Sequence, residues 1–143
     1  MELTKEQAIE NHRKMWNWIA DQYEMGCQLH IDVIKGTYMN LFYPRTRVLC
    51  DCFCCEYAGE GGDDCTYRAN CNKCPIKWPS DAEEGMCSKS QIDIFLKSGR
   101  NIAGQLYGVL CSDDSYGYYE LTKEERVEIA RMIANLPENE NVP

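Results

Sequence analysis

Histidine, basic residues and long apolar runs are all scarce in this chain, and each shortage narrows what it can do. Only His12 and His30 occur, both upstream of the cysteine-rich window at residues 50–74. Hydrolytic zinc centres keep an open coordination position and usually include histidine, so a catalytic metal is disfavoured. The zinc-deaminase pattern, H-x-E followed by P-C-x2-C, is missing. A histidine-based metal-finger nuclease would lack its His and Asn. A phosphate loop of the form G-x4-G-K-S/T and a G-x-S-x-G elbow are absent as well. The paired carboxylates Glu83-Glu84 and Asp113-Asp114 read as solvated surface rather than acid/base pairs. The expectation is a protein that is not an enzyme.

Bases number 15 against 23 acids, a formal net charge of -8. The excess is uneven. Residues 1–49 are balanced, whereas residues 50–74 hold Asp51, Glu56, Glu60, Asp63 and Asp64 against only Arg68 and Lys73. Nucleic-acid modules need a basic footprint, because phosphate neutralisation supplies most of their affinity. This distribution argues against one. No apolar run approaches the length of a membrane span, and the opening MELTKEQAIENHRK has no apolar signal core, so a cytoplasmic protein is expected. At 143 residues the chain suits a single core. We expect one domain over 1–136, with a cysteine-rich lobe at about 50–87 and a frayed acidic tail over 137–143.

What is present begins with two copies of one helix-start signal. Leu3-Thr4-Lys5-Glu6-Gln7 and Leu121-Thr122-Lys123-Glu124-Glu125 both have the form of a capping box. Behind the first, Ala8, Ile9, His12, Met15, Trp16, Ile19 and Tyr23 recur at helical spacing, and Gly26 offers a C-terminal cap. This predicts a helix over about 5–25. Behind the second, Val127, Ile129, Ala130, Ile133, Ala134 and Leu136 form a stripe that Pro137 ends, predicting a helix over about 123–135. Trp16 and Trp18 lie about 200° apart on a helix, so one of them must meet a second element or mark a contact surface. Gln28–Ile34 alternates like a short strand, and Thr37–Phe42 suits a turn or two of helix before Pro44. QIDIFLK suits either a strand or a helix, and Asn101–Cys111 has helical spacing despite Gly104 and Gly108. The fold class expected is mainly α, with a small α+β form possible. The terminal helices pack together, and an irregular zinc-ribbon-like lobe is inserted between them.

Cysteine is the abundant residue: ten in all, seven of them in CDCFCCEYAGEGGDDCTYRANCNKC, residues 50–74. In a reducing compartment such clusters hold metal more often than disulfides. Cys52-x2-Cys55 and Cys71-x2-Cys74 are separated by fifteen residues, matching the template for a structural zinc site. A two-residue spacer lets a tight turn aim both sulfurs at one centre, and two such turns complete a tetrahedron. The expected ligands of a structural Zn²⁺ are Cys52, Cys55, Cys71 and Cys74, with Cys54 and Cys87 as alternates. Cys50 and Cys65 are further candidates, and Cys27 and Cys111 read as small buried hydrophobes. An iron–sulfur cluster accepts the same four thiolates and is the second choice. A second zinc would require Cys50, Cys54, Cys65 and Cys87 to converge. His12, on an apolar face, reads as a hydrogen-bonded packing residue rather than a ligand.

The segments HRKMWNWIA (12–20), CFCCEY (52–57), CNKCP (71–75) followed by Trp78, and IANLP (133–137) resemble a group of small cysteine-rich accessory proteins encoded by bacteriophages of Gram-positive bacteria. The resemblance implies a viral origin, a host bacterial cytoplasm and a metal site, and supplies no activity. The expected function is a zinc-binding accessory protein that binds and inhibits a host protein, such as a defence system or a nucleic-acid enzyme. Trp18 and Trp78 are its candidate partner-binding residues, and negative charge speeds encounter with a basic target. A nucleic-acid-binding zinc ribbon, using Arg45, Arg47, Lys77 and Trp78, is the alternative. A thiol redox protein built on the vicinal Cys54-Cys55 pair comes third, since reactive thiols prefer electropositive surroundings.

Overall fold

The computed structural model describes residues 2–59, 73–79, 92–104, 106–116 and 120–143; of residues 92 and 112–116 it describes the backbone alone. Among these are five α-helices: α1 (Lys5–Glu24), α2 (Ile31–Phe42), α3 (Phe53–Ala58), α4 (Leu106–Tyr116) and α5 (Lys123–Ala134). A 3-10 turn at Leu49–Asp51 precedes α3, and strands β1 (Ile92–Phe95) and β2 (Asn101–Gly104) form an antiparallel hairpin before α4. The architecture is mainly helical, as expected.

Both capping boxes form. The Gln7 amide donates to Thr4 Oγ1 at 3.1 Å while the Thr4 amide donates to Gln7 Oε1 at 2.9 Å. Thr122 and Glu125 repeat the pair at 2.9 and 3.1 Å. Each box satisfies two backbone donors that a helix start otherwise leaves orphaned. α1 ends in a Schellman motif: Gly26 takes φ +95°, its amide donates to Tyr23 O at 2.9 Å, and the Cys27 amide donates to Gln22 O at 3.0 Å. The two helices so delimited form the most extensive contact in the fold. Met15, Ile19, Ala20, Ile129, Ala130 and Ile133 are all fully buried in the core they share.

The Gln28–Ile34 segment is not a strand. His30 caps α2, its Nδ1 accepting the Asp32 amide at 3.2 Å. Ile31, Ile34, Lys35, Tyr38 and Met39 are then buried at helical spacing. Seven residues were too few to separate the two periods. The expected turn at Thr37–Phe42 is the second half of this helix, which stops before Pro44. The helix expected over Asn101–Cys111 is split: Asn101–Gly104 pairs with β1, and helix begins only at Leu106. In the hairpin, the Gly99 amide donates to Leu96 O at 2.9 Å, the Leu96 amide donates to Arg100 O at 3.0 Å, and Gly99 takes φ +84°. This is the three-residue loop with a left-handed glycine that suits strand twist. It turns Ile94 and Ile102, which face each other across the ladder, into the core.

The tail over 137–143 is docked rather than frayed. Lys77 and Asn139 amides donate to Pro137 O and Pro75 O at 2.9 and 2.7 Å. Lys5 Nζ meets Asn139 O at 2.9 Å and Glu138 at 2.8 Å, and Val142 is buried. Composition suggested solvation. The reason it docks is that the backbone of residues 75–77 offers unpaired groups that the tail satisfies.

Candidate metal centre

The site is assembled from three distant stretches. The first is the turn before α3. Cys50 and Asp51 both sit in the left-handed region, at φ +58° and +48°. Such backbone costs non-glycine residues of order 1–3 kcal/mol each and persists only where surroundings enforce it. Here it reverses the chain so that Cys52 caps α3 and Cys54 points inward, 1 % exposed. Lys35 of α2 braces the turn by donating to Cys50 O at 3.1 Å, and Glu56 accepts the Leu49 amide at 2.7 Å.

The second stretch is Cys74–Trp78, held by the docked tail. Asn139 Nδ2 donates to Cys74 O at 3.3 Å. The third is α1, which contributes His12. That ring is fully buried, with Trp16 at 6.4 Å between centroids and Trp78 edge-on at 6.2 Å.

These stretches meet. A ring nitrogen of His12 and the sulfurs of Cys52 and Cys54 all lie within 4.8 Å of one another. His12 Nε2 lies 3.0 Å from Ile133 O. A carbonyl only accepts, so Nε2 carries the proton and Nδ1 is left with a lone pair. Nδ1 is buried without a hydrogen-bond partner, the only such side-chain atom among the described residues. A buried unpartnered acceptor costs about 1–3 kcal/mol.

The electrostatics favour thiolate in this pocket. Hydrogen bonds from Cys54 and then Cys55, with smaller help from the Lys35 ammonium, outweigh burial and hold the Cys52 thiol well below its ordinary value. The Cys54 bond likewise lowers Cys74. Cys54 itself is driven upward, first by donating to Cys52 and Cys74 and then by its burial. Metal binding releases protons from thiols, so a divalent cation would take the place of S–H protons in this pocket. Two soft sulfurs and an imidazole at this spacing could hold a metal ion, and the set is compatible with zinc.

Of the expected ligands, the structure brings Cys52 into the cluster, and Cys55 and Cys74 are half-buried outside that set of three. The alternate Cys54 is in that set. Cys65, Cys71 and Cys87 lie outside the described residues. Cys50 is exposed, and Cys27 and Cys111 are half-buried against the core. His12 is hydrogen-bonded and packed, as expected, yet its second nitrogen faces the thiols, which spacing could not reveal across forty residues of intervening chain. Of the expected partner-binding residues, Trp78 is buried at 7 % exposure beside His12 and Cys74, where it cannot meet a partner. Trp18 is half-buried and stacks on Tyr38 and Phe42 of α2, while Trp16 lies in the core.

No family model, curated protein or solved structure matches this chain. No helix among the described residues is long and apolar enough to cross a membrane.

Proposed function

We propose that this chain is a non-enzymatic, zinc-stapled accessory protein that binds another protein and modulates it, with a host defence system or nucleic-acid enzyme as the target. The observation that carries the binding reading is the C-terminal end of α2. Leu41 and Phe42 are 61 % and 53 % exposed there, and Phe42 packs against Trp18 and Tyr38. Apolar side chains grouped on a surface mark contact sites. Aromatic anchors of this kind dominate interface energetics.

Zinc has a structural role in this reading. His12 and Cys54 are buried and Cys52 is half-buried, with Trp16 and Trp78 against the His12 ring, an arrangement suited to holding a metal rather than admitting a substrate. The host target draws its support from the resemblance to phage accessory proteins and from the net charge of -8, which favours a basic partner.

The test pairs capture with mutation. The zinc-loaded chain should retain a defined host protein from lysate, and Phe42→Glu together with Trp18→Ala should abolish retention while leaving the circular-dichroism spectrum unchanged. Retention that survives both changes, or retention of nucleic acid that weakens steeply with salt, would overturn the proposal.

A further inference from the structure

We infer that the metal is held by His12 Nδ1 together with the sulfurs of Cys52 and Cys54, a mixed histidine–cysteine centre that fastens α1 to the start of α3. This rests on the zinc reading above and supplies its ligand set, which differs from the two-knuckle, four-cysteine template.

Four observations converge on it. Nδ1 is the orphan: fully buried, unprotonated by the geometry at Nε2, and without a partner. Zinc-bound histidines commonly donate their other N–H to a backbone carbonyl, which fixes tautomer and ring orientation, and Ile133 O occupies that role at 3.0 Å. Next, the spread of the three ligand atoms, at most 4.8 Å, is close to what coordination needs. Zn–S distances near 2.3 Å put tetrahedral sulfurs about 3.8 Å apart, so side-chain adjustments of about 1 Å close the site.

Trp78 packs edge-on against the His12 ring and closes that side of the cluster. Finally, charge is matched. Two thiolates and one neutral imidazole balance the charge of Zn²⁺. The ammonium of Lys35, a residue only 8 % exposed, acts electrostatically on Cys52 from α2.

The experiment uses the full chain loaded with zinc. Native mass spectrometry reports whether an ion is retained, and a long-range ¹H–¹⁵N correlation spectrum of the imidazoles reports which ring nitrogen binds it. We expect a retained zinc, a metal-bound Nδ1 and a protonated, slowly exchanging Nε2 at His12, with His30 free of metal. Losing an outer-shell partner costs roughly 10- to 100-fold in metal affinity, so His12→Ala and Cys54→Ser, which remove direct ligands, should cost at least roughly 100-fold. Cys50→Ser, which alters an exposed thiol, should leave affinity unchanged. Zinc retained with His12 unbound, or retained in full by Cys54→Ser, overturns this ligand set while leaving the zinc reading intact. A chain that retains no metal overturns both. The wild-type imidazole spectrum decides the matter even if a ligand variant fails to fold.

Discussion

The α1/α5 pair and the cysteine segment are built on opposite principles. Each terminal helix carries its own start signal, its own apolar stripe and its own stop, so local chemistry and tertiary burial agree. The cysteine segment has neither a continuous stripe nor a cap made by a side chain. Its turn runs through two left-handed non-glycine residues, and its inward face is sulfur. It is positioned by groups supplied from elsewhere: Lys35, His12 and the tail. A region held by apolar burial should be indifferent to metal, and a region held by a polar cluster should not.

The largest effect should come from the first region. Ile129→Ala removes a fully buried side chain and should cost about 2–5 kcal/mol in denaturant unfolding, by the same amount with and without zinc. A cost that changes markedly with metal would erase the distinction between the regions. Next in size is the metal itself. A ligand that binds only the folded state stabilises by about 2.7 kcal/mol at a hundred times its dissociation constant. Zinc titrated into chelated, reduced protein should therefore raise the unfolding midpoint, and hydrogen exchange should slow around Cys52–Ala58 more than in the middle of α5.

Third is the junction that ties the β-hairpin to α5. Glu125, 1 % exposed, accepts from Arg100 at 2.6 Å, Ser98 at 2.9 Å and the Thr122 amide at 2.9 Å. Burial pushes its carboxyl up, but the Thr122 amide, the Ser98 hydroxyl and Arg100 together outweigh burial and hold it below its ordinary value of 4.5. A lowered folded value means that the stabilisation is fully present above the unfolded value and is lost as pH falls through the folded one. Glu125→Gln should cost about 1–3 kcal/mol at neutral pH. That difference should shrink in acid, as seen in unfolding curves taken across pH 2–6. The smallest effect belongs to the cap: Thr122→Ala should cost about 1 kcal/mol, read as a shift in urea midpoint.

Legibility followed the same division. Both terminal helices could be read to within a residue or two, because capping boxes and 3.6-residue stripes are written locally. α2 was misread because the helix cap is a histidine, an uncommon residue in that role, and because a seven-residue alternation imitates a strand. The tail was misread from its polarity, since its partners are backbone groups at Pro75 and Lys77. At the candidate site, Cys52 was legible from spacing. Cys54 was visible only as a spare, and Trp78 was taken for surface. His12 could be recognised as buried, but not as the neighbour of thiols.

By itself, then, the amino-acid order determined where the terminal helices begin and end, that they present apolar faces to each other, and that clustered thiols invite a soft metal. Those properties depend on neighbours within a turn or two. Which thiols converge, and that a histidine from α1 joins them, was decided only when helix packing carried Ile133 O to one side of the imidazole and Cys52 and Cys54 to the other. Ligation needs atoms within a few ångströms in space, and chain spacing constrains that distance only where the chain is short.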